Sequence, residues 1–165
     1  MKIRLVFATA ILIALTLLLI PKSIIVSEED ISLQKQKLNA LIEEFLTSKD
    51  SPLAPNTEFL LQQKHWKLLI AISAIESQYC KRQLGNNCWG VGGDSDYRHY
   101  SSIRAAIIDA NDLIEYWQKK GRWLTVEDMN GHYVFPSNPN WVRVVNKVLE
   151  ELGQYEQQSI GTIHQ

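Results

Sequence analysis

The segment 68–80, LLIAISAIESQYC, contains one charged side chain, Glu76, in an otherwise apolar run. Glu76 follows Ile72 by four residues, so a helix places both side chains on one face. Because burial of an unpaired carboxylate is costly, Glu76 must reach solvent, pair with Lys81 or Arg82, or raise its pKa. The last alternative gives a carboxyl group that is protonated near neutral pH, as general-acid catalysis requires. The sequence leaves these alternatives open.

The N-terminal 26 residues form a second distinctive segment. Residues 5–20 are uncharged, contain neither glycine nor proline, and follow Lys2 and Arg4. A positive start before an apolar run is typical of an export signal. No small-x-small cleavage site follows the run, so we expect a retained signal anchor, with a cleaved signal peptide as the alternative. The rest of the chain is then expected outside the cytoplasm, either anchored in the membrane or secreted.

Cys80 and Cys88 are the two cysteines of the chain. In an exported domain such a pair is expected to form a disulfide. Closing a loop of this length stabilises a fold by about 2–3 kcal/mol. The residues between the cysteines offer no further soft ligand, and His65, His99 and His132 are scattered along the chain. We therefore predict neither a metal site nor a cofactor.

Asn87, Trp89 and Gly90 lie in or directly after the loop between the cysteines. An indole ring can stack on a sugar, an asparagine amide both donates and accepts hydrogen bonds, and glycine lets the backbone approach a ligand closely. Together with Glu76, these residues predict a cleft that binds a glycan.

Composition and chain-breaking residues divide the sequence into four parts. Residues 1–26 are the export segment, 27–50 an amphipathic helical stalk or linker, 51–153 the folded domain, and 154–165 a polar tail. Helical periodicity dominates the folded domain, whereas residues 81–100 are glycine-rich and lack it. We predict a predominantly helical α+β domain with a small irregular or β lobe after its central helix.

Capping residues predict where the helices begin and end. They are, in chain order, Asn56 or Thr57 before a long helix through Ile75, then Ser101 or Ser102, Thr125 with Asp128, Asn138, and a final Gly153.

The net charge of −1 is unevenly distributed. Residues 1–26 contain three basic side chains and no acidic one, so the rest of the chain is mildly acidic. A nucleic-acid-binding protein needs a basic surface to neutralise phosphates. Nucleic acid is therefore not a predicted partner.

Four segments resemble the lysozyme-like superfamily that acts on bacterial peptidoglycan. They are the domain start 51–53, the helix 66–77 that ends in Glu76-Ser77, the loop 86–91 (NNCWGV), and the segment 132–145 with Tyr133 and Trp141. The resemblance covers residues 51–152. It is strongest to soluble lytic transglycosylases and to β-N-acetylglucosaminidases of the flagellar and autolysin type.

The resemblance implies cleavage of the β-1,4 bond between N-acetylmuramic acid and N-acetylglucosamine in peptidoglycan glycan strands. Glu76 would be the general acid and then the base, and Tyr133 would position the substrate or stabilise the charge of the transition state. The residues assigned to substrate binding are Ser77, Asn87, Trp89 and Gly90, and of these Ser77 would brace the glutamate or the loop.

A second carboxylate would distinguish two reactions. Hydrolysis normally uses two carboxylates, whereas transglycosylation by the muramyl 6-hydroxyl can run on one. Asp94 and Asp96 are the candidates, and both are equally well explained as turn residues. The leading prediction is a lytic transglycosylase, with a hydrolytic N-acetylglucosaminidase or a non-catalytic glycan-binding protein as alternatives. Residues 28–50 could in addition bind an envelope partner.

Overall fold

The computed structural model describes residues 27–93 and 96–161. The chain forms two compact units, Met1–Ile31 and Ser32–Gln165, and the first is described only from residue 27. The described part is predominantly helical, as predicted. Its helices are α1 Glu28–Ser48, α2 Thr57–Leu61, α3 Trp66–Ser77, α4 Ile103–Lys119, α5 Val126–Met129 and α6 Pro139–Ile160, with a 3₁₀ turn at Ala54–Asn56.

Helix α3 is the centre of the domain. Leu69, Ile70 and Ile72 are completely buried, because most side chains of this helix are apolar and neighbouring elements surround it. Its main partner is α6, which buries Val145 and Leu152. The packing of these two helices fixes the end of α3, where Glu76 lies, relative to the start of α6.

Helix starts follow the predicted capping residues. The Ser102 hydroxyl accepts from the amide of Ala105 at 3.2 Å. Thr125 and Asp128 form a reciprocal capping box at the start of α5. The Asn138 side chain accepts from two amides at the start of α6. These side chains satisfy amides that have no partner inside the helix.

Two predicted helix boundaries are wrong. The expected helix from Asn56 or Thr57 through Ile75 is interrupted between α2 and α3, where Gln62–His65 form turns and the His65 amide donates to Asn111 Oδ1. The last helix does not end at Gly153.

Tertiary contacts explain why α6 continues past Gly153 into the segment predicted to be a polar tail. Tyr155 packs against Phe45 with ring centroids 5.6 Å apart, and Glu156 pairs with Lys67 at 2.7 Å. Such contacts outweigh the cost of about 1 kcal/mol for a glycine inside a helix.

The second half of α1 belongs to the folded domain. Ile42, Phe45 and Leu46 are buried in the same core as α3 and α6. The predicted stalk or linker at 27–50 is therefore wrong for this half, which instead packs on the domain. Leu33, nearer the start of α1, is 57% exposed.

The segment between α3 and α4 is irregular, and its predicted β component is small. Within residues 27–93 and 96–161, β structure is limited to isolated bridges, Leu84 with Asn87 and Asn130 with Val134. The predicted export segment 1–26 lies outside the described residues. Within the described ranges, no helix is long and apolar enough to cross a membrane.

Candidate functional site

Glu76 lies in the last turn of α3, where its side chain remains accessible to solvent. The indole Nε1–H of Trp141, in the first turn of α6, donates to Glu76 Oε1 at 2.7 Å. Trp141 is only 1% exposed, so the packing of α3 on α6 holds this donor in place. One oxygen of the carboxyl group is therefore fixed by a neutral donor.

The environment of Glu76 favours its protonated form. Partial burial raises the pKa of Glu76, and the hydrogen bond from Trp141, which stabilises the carboxylate, lowers it by less. Among the described residues, no ion pair involves Glu76, and the neighbouring Lys81 and Arg82 are exposed. Of the alternatives left open by the sequence, the structure favours an accessible carboxyl group with a raised pKa over an ion pair.

Tyr133 lies beside this group. Its ring packs between Trp123 and Trp141, with ring centroids 5.4 and 5.8 Å away, and its hydroxyl donates to the carbonyl of Trp89. Burial, followed by the negative charge of Glu76, raises the pKa of Tyr133 well above its usual range. The structure thus brings together the two residues predicted to be catalytic, with Trp141 touching both.

The predicted disulfide between Cys80 and Cys88 is present, with a Cα–Cα distance of 4.7 Å. The buried Ser77 hydroxyl donates to the Cys88 carbonyl at 2.7 Å and accepts from the Cys80 amide at 3.0 Å. Ser77 therefore braces the loop against the end of α3. Because it is only 4% exposed, its predicted place among the substrate-binding residues is wrong.

Trp89 does not fit its predicted role as a sugar platform. It is 1% exposed, and its indole N–H donates to the Leu69 carbonyl at 2.8 Å, so protein covers both ring faces. Asn87 is equally buried, and its amide nitrogen donates to the carbonyls of Val91 and Arg98. Both side chains shape the loop from within, and direct sugar binding by either is a wrong prediction.

Gly90 is exposed and faces Glu76. A Cβ atom built on Gly90 would lie 3.4 Å from Glu76 Oε2, and its φ of +64° is a conformation that glycine adopts without strain. Gly90 therefore lies beside Glu76, and its role in substrate binding stays a prediction.

Of the two candidate second carboxylates, Asp94 and Asp96, the structure describes Asp96. Asp94 lies outside the described residues. Asp96 is exposed in the loop. Within the described part of the chain, the groups that influence the pKa of Glu76 include no second carboxylate. Nor do these residues contain a cluster of three or more His, Cys, Asp or Glu side chains suited to a metal ion.

The far end of the loop is held by a different carboxylate. Asp109 of α4 accepts two hydrogen bonds from Arg98, at 3.0 and 2.7 Å, and one from the Tyr100 hydroxyl at 2.6 Å. Asp109 raises the pKa of Arg98, whereas burial is the main cause of the raised pKa of Tyr100. The loop is thus attached to α3 at one end and to α4 at the other.

Sequence reasoning missed the contact of Trp141 with Glu76 and the exposure of Phe135. Trp141 was singled out only as part of the segment 132–145, and its bond to Glu76 depends on a tertiary contact across 65 positions. Phe135, two residues after Tyr133, is 85% exposed. The sequence signal for this exposure was that Phe135 lies next to a proline in a polar turn.

Comparisons of the chain with protein-family models, with curated proteins and with solved structures found no match.

Proposed function

We propose that this protein cleaves the glycan strand of peptidoglycan with Glu76 as its acid–base catalyst. The observation that carries the proposal is the state of this carboxyl group. It is accessible, its pKa is raised by partial burial, and its hydrogen-bond partner is a neutral indole. General-acid catalysis near neutral pH needs a carboxylic acid of this kind.

The proposed reaction balances with one carboxyl group. Glu76 donates its proton to the glycosidic oxygen between N-acetylmuramic acid and N-acetylglucosamine while the bond from C1 to that oxygen breaks. The muramyl 6-hydroxyl then attacks C1 and gives its proton to the carboxylate of Glu76. The products are a 1,6-anhydromuramyl end and a free glucosaminyl hydroxyl, and Glu76 is again protonated.

Tyr133 is placed to assist this reaction. Its hydroxyl is engaged with the Trp89 carbonyl, and its ring lies against Trp141. Its raised pKa keeps the phenol neutral. We assign Tyr133 a positioning role at the wall of the site, where it holds the loop that carries Gly90 close to Glu76.

The substrate class rests on the resemblance of residues 51–152 to lysozyme-like enzymes. The motifs that carry this resemblance meet in space. Glu76 ends a buried helix, the loop of Cys88 and Gly90 folds against it, and Trp141 closes the site. A lysozyme-like fold is part of the same proposal. An extracytoplasmic location, reached through residues 1–26, also belongs to the proposal. The disulfide supports this location because such bonds persist in oxidising compartments.

Digestion of purified peptidoglycan tests the proposal. The full chain, solubilised in a mild detergent, is compared with E76Q and with the matched control E150Q, which alters an exposed glutamate of α6. We expect the wild type and E150Q, but not E76Q, to release muropeptides that end in 1,6-anhydromuramic acid, detected by mass spectrometry.

Two other results would contradict the proposed reaction. Products with reducing ends and one added water would show hydrolysis and would favour the N-acetylglucosaminidase. Binding to peptidoglycan by the wild type and E76Q alike, without product release, would instead favour a glycan-binding protein.

A further inference from the structure

The indole of Trp141 distinguishes the two oxygens of Glu76. Its N–H donates to Oε1 at 2.7 Å. An indole N–H is a donor only, and a protonated carboxyl group has one hydroxyl and one acceptor oxygen. When Glu76 is protonated, Oε1 keeps its role as acceptor and the proton resides on Oε2.

Oε2 is also the oxygen on the open side. Gly90 faces this oxygen, because a methyl group built on Gly90 would lie 3.4 Å from Oε2. Gly90 is exposed, whereas Trp141 on the other side of the carboxyl group is buried. A ligand oxygen can therefore approach Oε2 from the side of Gly90.

We propose that Trp141 is a positioning residue that assigns the transferable proton of Glu76 to Oε2, and that the absent side chain of Gly90 keeps this oxygen accessible. The catalytic use of that proton rests on the proposed function. The location of the proton does not, because it follows from the hydrogen bond alone.

The groups that face Glu76 determine in which direction its pKa should change when the indole is removed. They are Gly90 from the loop, Tyr133 from the turn before α6, and Trp141 from α6, all of them uncharged. Tyr133 in turn lies within the influence of Tyr100, which is also neutral. Among the described residues, the indole is the one side chain that lowers the pKa of Glu76. Its removal should therefore raise that pKa.

A pH titration of the unaltered protein tests the assignment directly. The chain contains five tryptophans, so its ¹⁵N–¹H spectrum should show five indole resonances. We expect the resonance of Trp141 to move with pH at the midpoint of the ¹³C titration of Glu76, because its acceptor changes from carboxylate to carbonyl. In E76Q this movement should disappear, whereas the resonance of Trp117 should be the same in both proteins.

Kinetics of W141F provide a second test, with W117F as the matched control. Loss of the donor should lower kcat by about tenfold or more, with a smaller change in KM, because a misplaced catalytic group slows the chemical step. The alkaline limb of the kcat profile should move to higher pH, since Glu76 then keeps its proton longer. W117F should leave this limb unchanged, and G90A should lower kcat without moving it.

The outcomes separate this inference from the proposed function. An indole resonance of Trp141 that does not respond while Glu76 titrates would overturn the proton assignment, even if the protein cleaves peptidoglycan. A W141F enzyme with lower activity but an unmoved alkaline limb would do the same. Conversely, a responsive indole in a protein that cleaves no glycan would support the assignment and overturn the proposed function. Because the titration uses the wild type, it does not depend on W141F folding.

Discussion

Glu76 and Asp109 lie at the two ends of one region, the irregular segment between α3 and α4, in opposite electrostatic surroundings. Asp109 accepts hydrogen bonds from a guanidinium group and a phenol, and these bonds attach residues 98–100 to α4. Glu76 has a neutral indole as its hydrogen-bond donor, and a covalent bond, Cys80–Cys88, fixes the loop beside it.

The difference separates a carboxylate with a structural role from the one to which the proposed function assigns catalysis. A carboxylate paired with a cation is stabilised in its charged form and contributes to the fold. A carboxyl group that is partly buried and has no cation beside it is less stable when charged, so its pKa is raised, as it is for Glu76. Because the disulfide and Ser77 attach the loop near Glu76, that carboxyl group need not form an ion pair to hold it.

The largest expected effect concerns activity. Replacing Glu76 by glutamine should lower the rate of anhydromuropeptide release by about 10²- to 10⁴-fold, the range that a general acid–base group contributes. D109N should retain most of the wild-type rate, because Asp109 acts on the loop rather than on the substrate. Initial rates at equal protein concentration check this pair, and equal losses in both variants would contradict the distinction.

For stability the order of the two variants should reverse, so that D109N has the larger effect and E76Q the smaller. D109N should reduce the free energy of unfolding by about 1–2 kcal/mol, because it weakens a partly exposed ion pair and a hydrogen bond to a phenol. E76Q should not reduce it at neutral pH. Urea unfolding followed by tryptophan fluorescence measures both, with D112N as the control for an exposed carboxylate on the same helix. A D109N protein as stable as D112N would show that the loop does not need this ion pair.

The stability of E76Q relative to the wild type should depend on pH. The pKa of Glu76 is raised in the folded state. Its contribution to stability is therefore complete at acidic pH, below its pKa in the unfolded chain, and is lost as the pH rises through the folded-state pKa. E76Q has no carboxyl group at this position and does not lose stability in this way. The melting temperature of E76Q relative to that of the wild type should therefore rise from acidic to neutral pH. Parallel curves in calorimetry would argue against a raised pKa.

The smallest effect is that of salt. Arg98 and Asp109 are both partly exposed, so the destabilisation by D109N should shrink by roughly a few tenths of a kcal/mol in concentrated sodium chloride. The activity deficit of E76Q should be unaffected, because it reflects a missing proton donor. Urea unfolding of D109N in low and high salt tests the first expectation, and product release by E76Q under the same conditions tests the second.

Much of the fold was predictable because its signals are local. Caps at Ser102, Thr125 and Asn138 act within three residues, and the disulfide joins two cysteines eight positions apart. The continuation of α6 past Gly153 was not predictable in this way. It depends on side chains of α1 and α3, which are distant in sequence.

In the candidate site, too, the features with local sequence signals were predictable and those that depend on tertiary contacts were not. Glu76 stood out because it is the only charged residue in the thirteen positions 68–80. Burial of Trp89 could not be predicted, since an irregular loop has no periodicity that reports which face is covered. The bond from Trp141 was equally hidden, because it requires the start of α6 to meet the end of α3.

The chain between α3 and the disulfide has a consequence for the timing of activity. Gln78, Tyr79 and Cys80 have φ angles of 53°, 57° and 71°. One left-handed residue commonly ends a helix, but each such residue without a glycine costs about 1–2 kcal/mol, and three in succession are unusual. A newly synthesised, reduced chain bears this cost without the covalent closure that offsets it. We therefore expect the disulfide to complete the maturation of the site, so that the end of α3 that carries Glu76 reaches its final geometry only after Cys80 and Cys88 are oxidised.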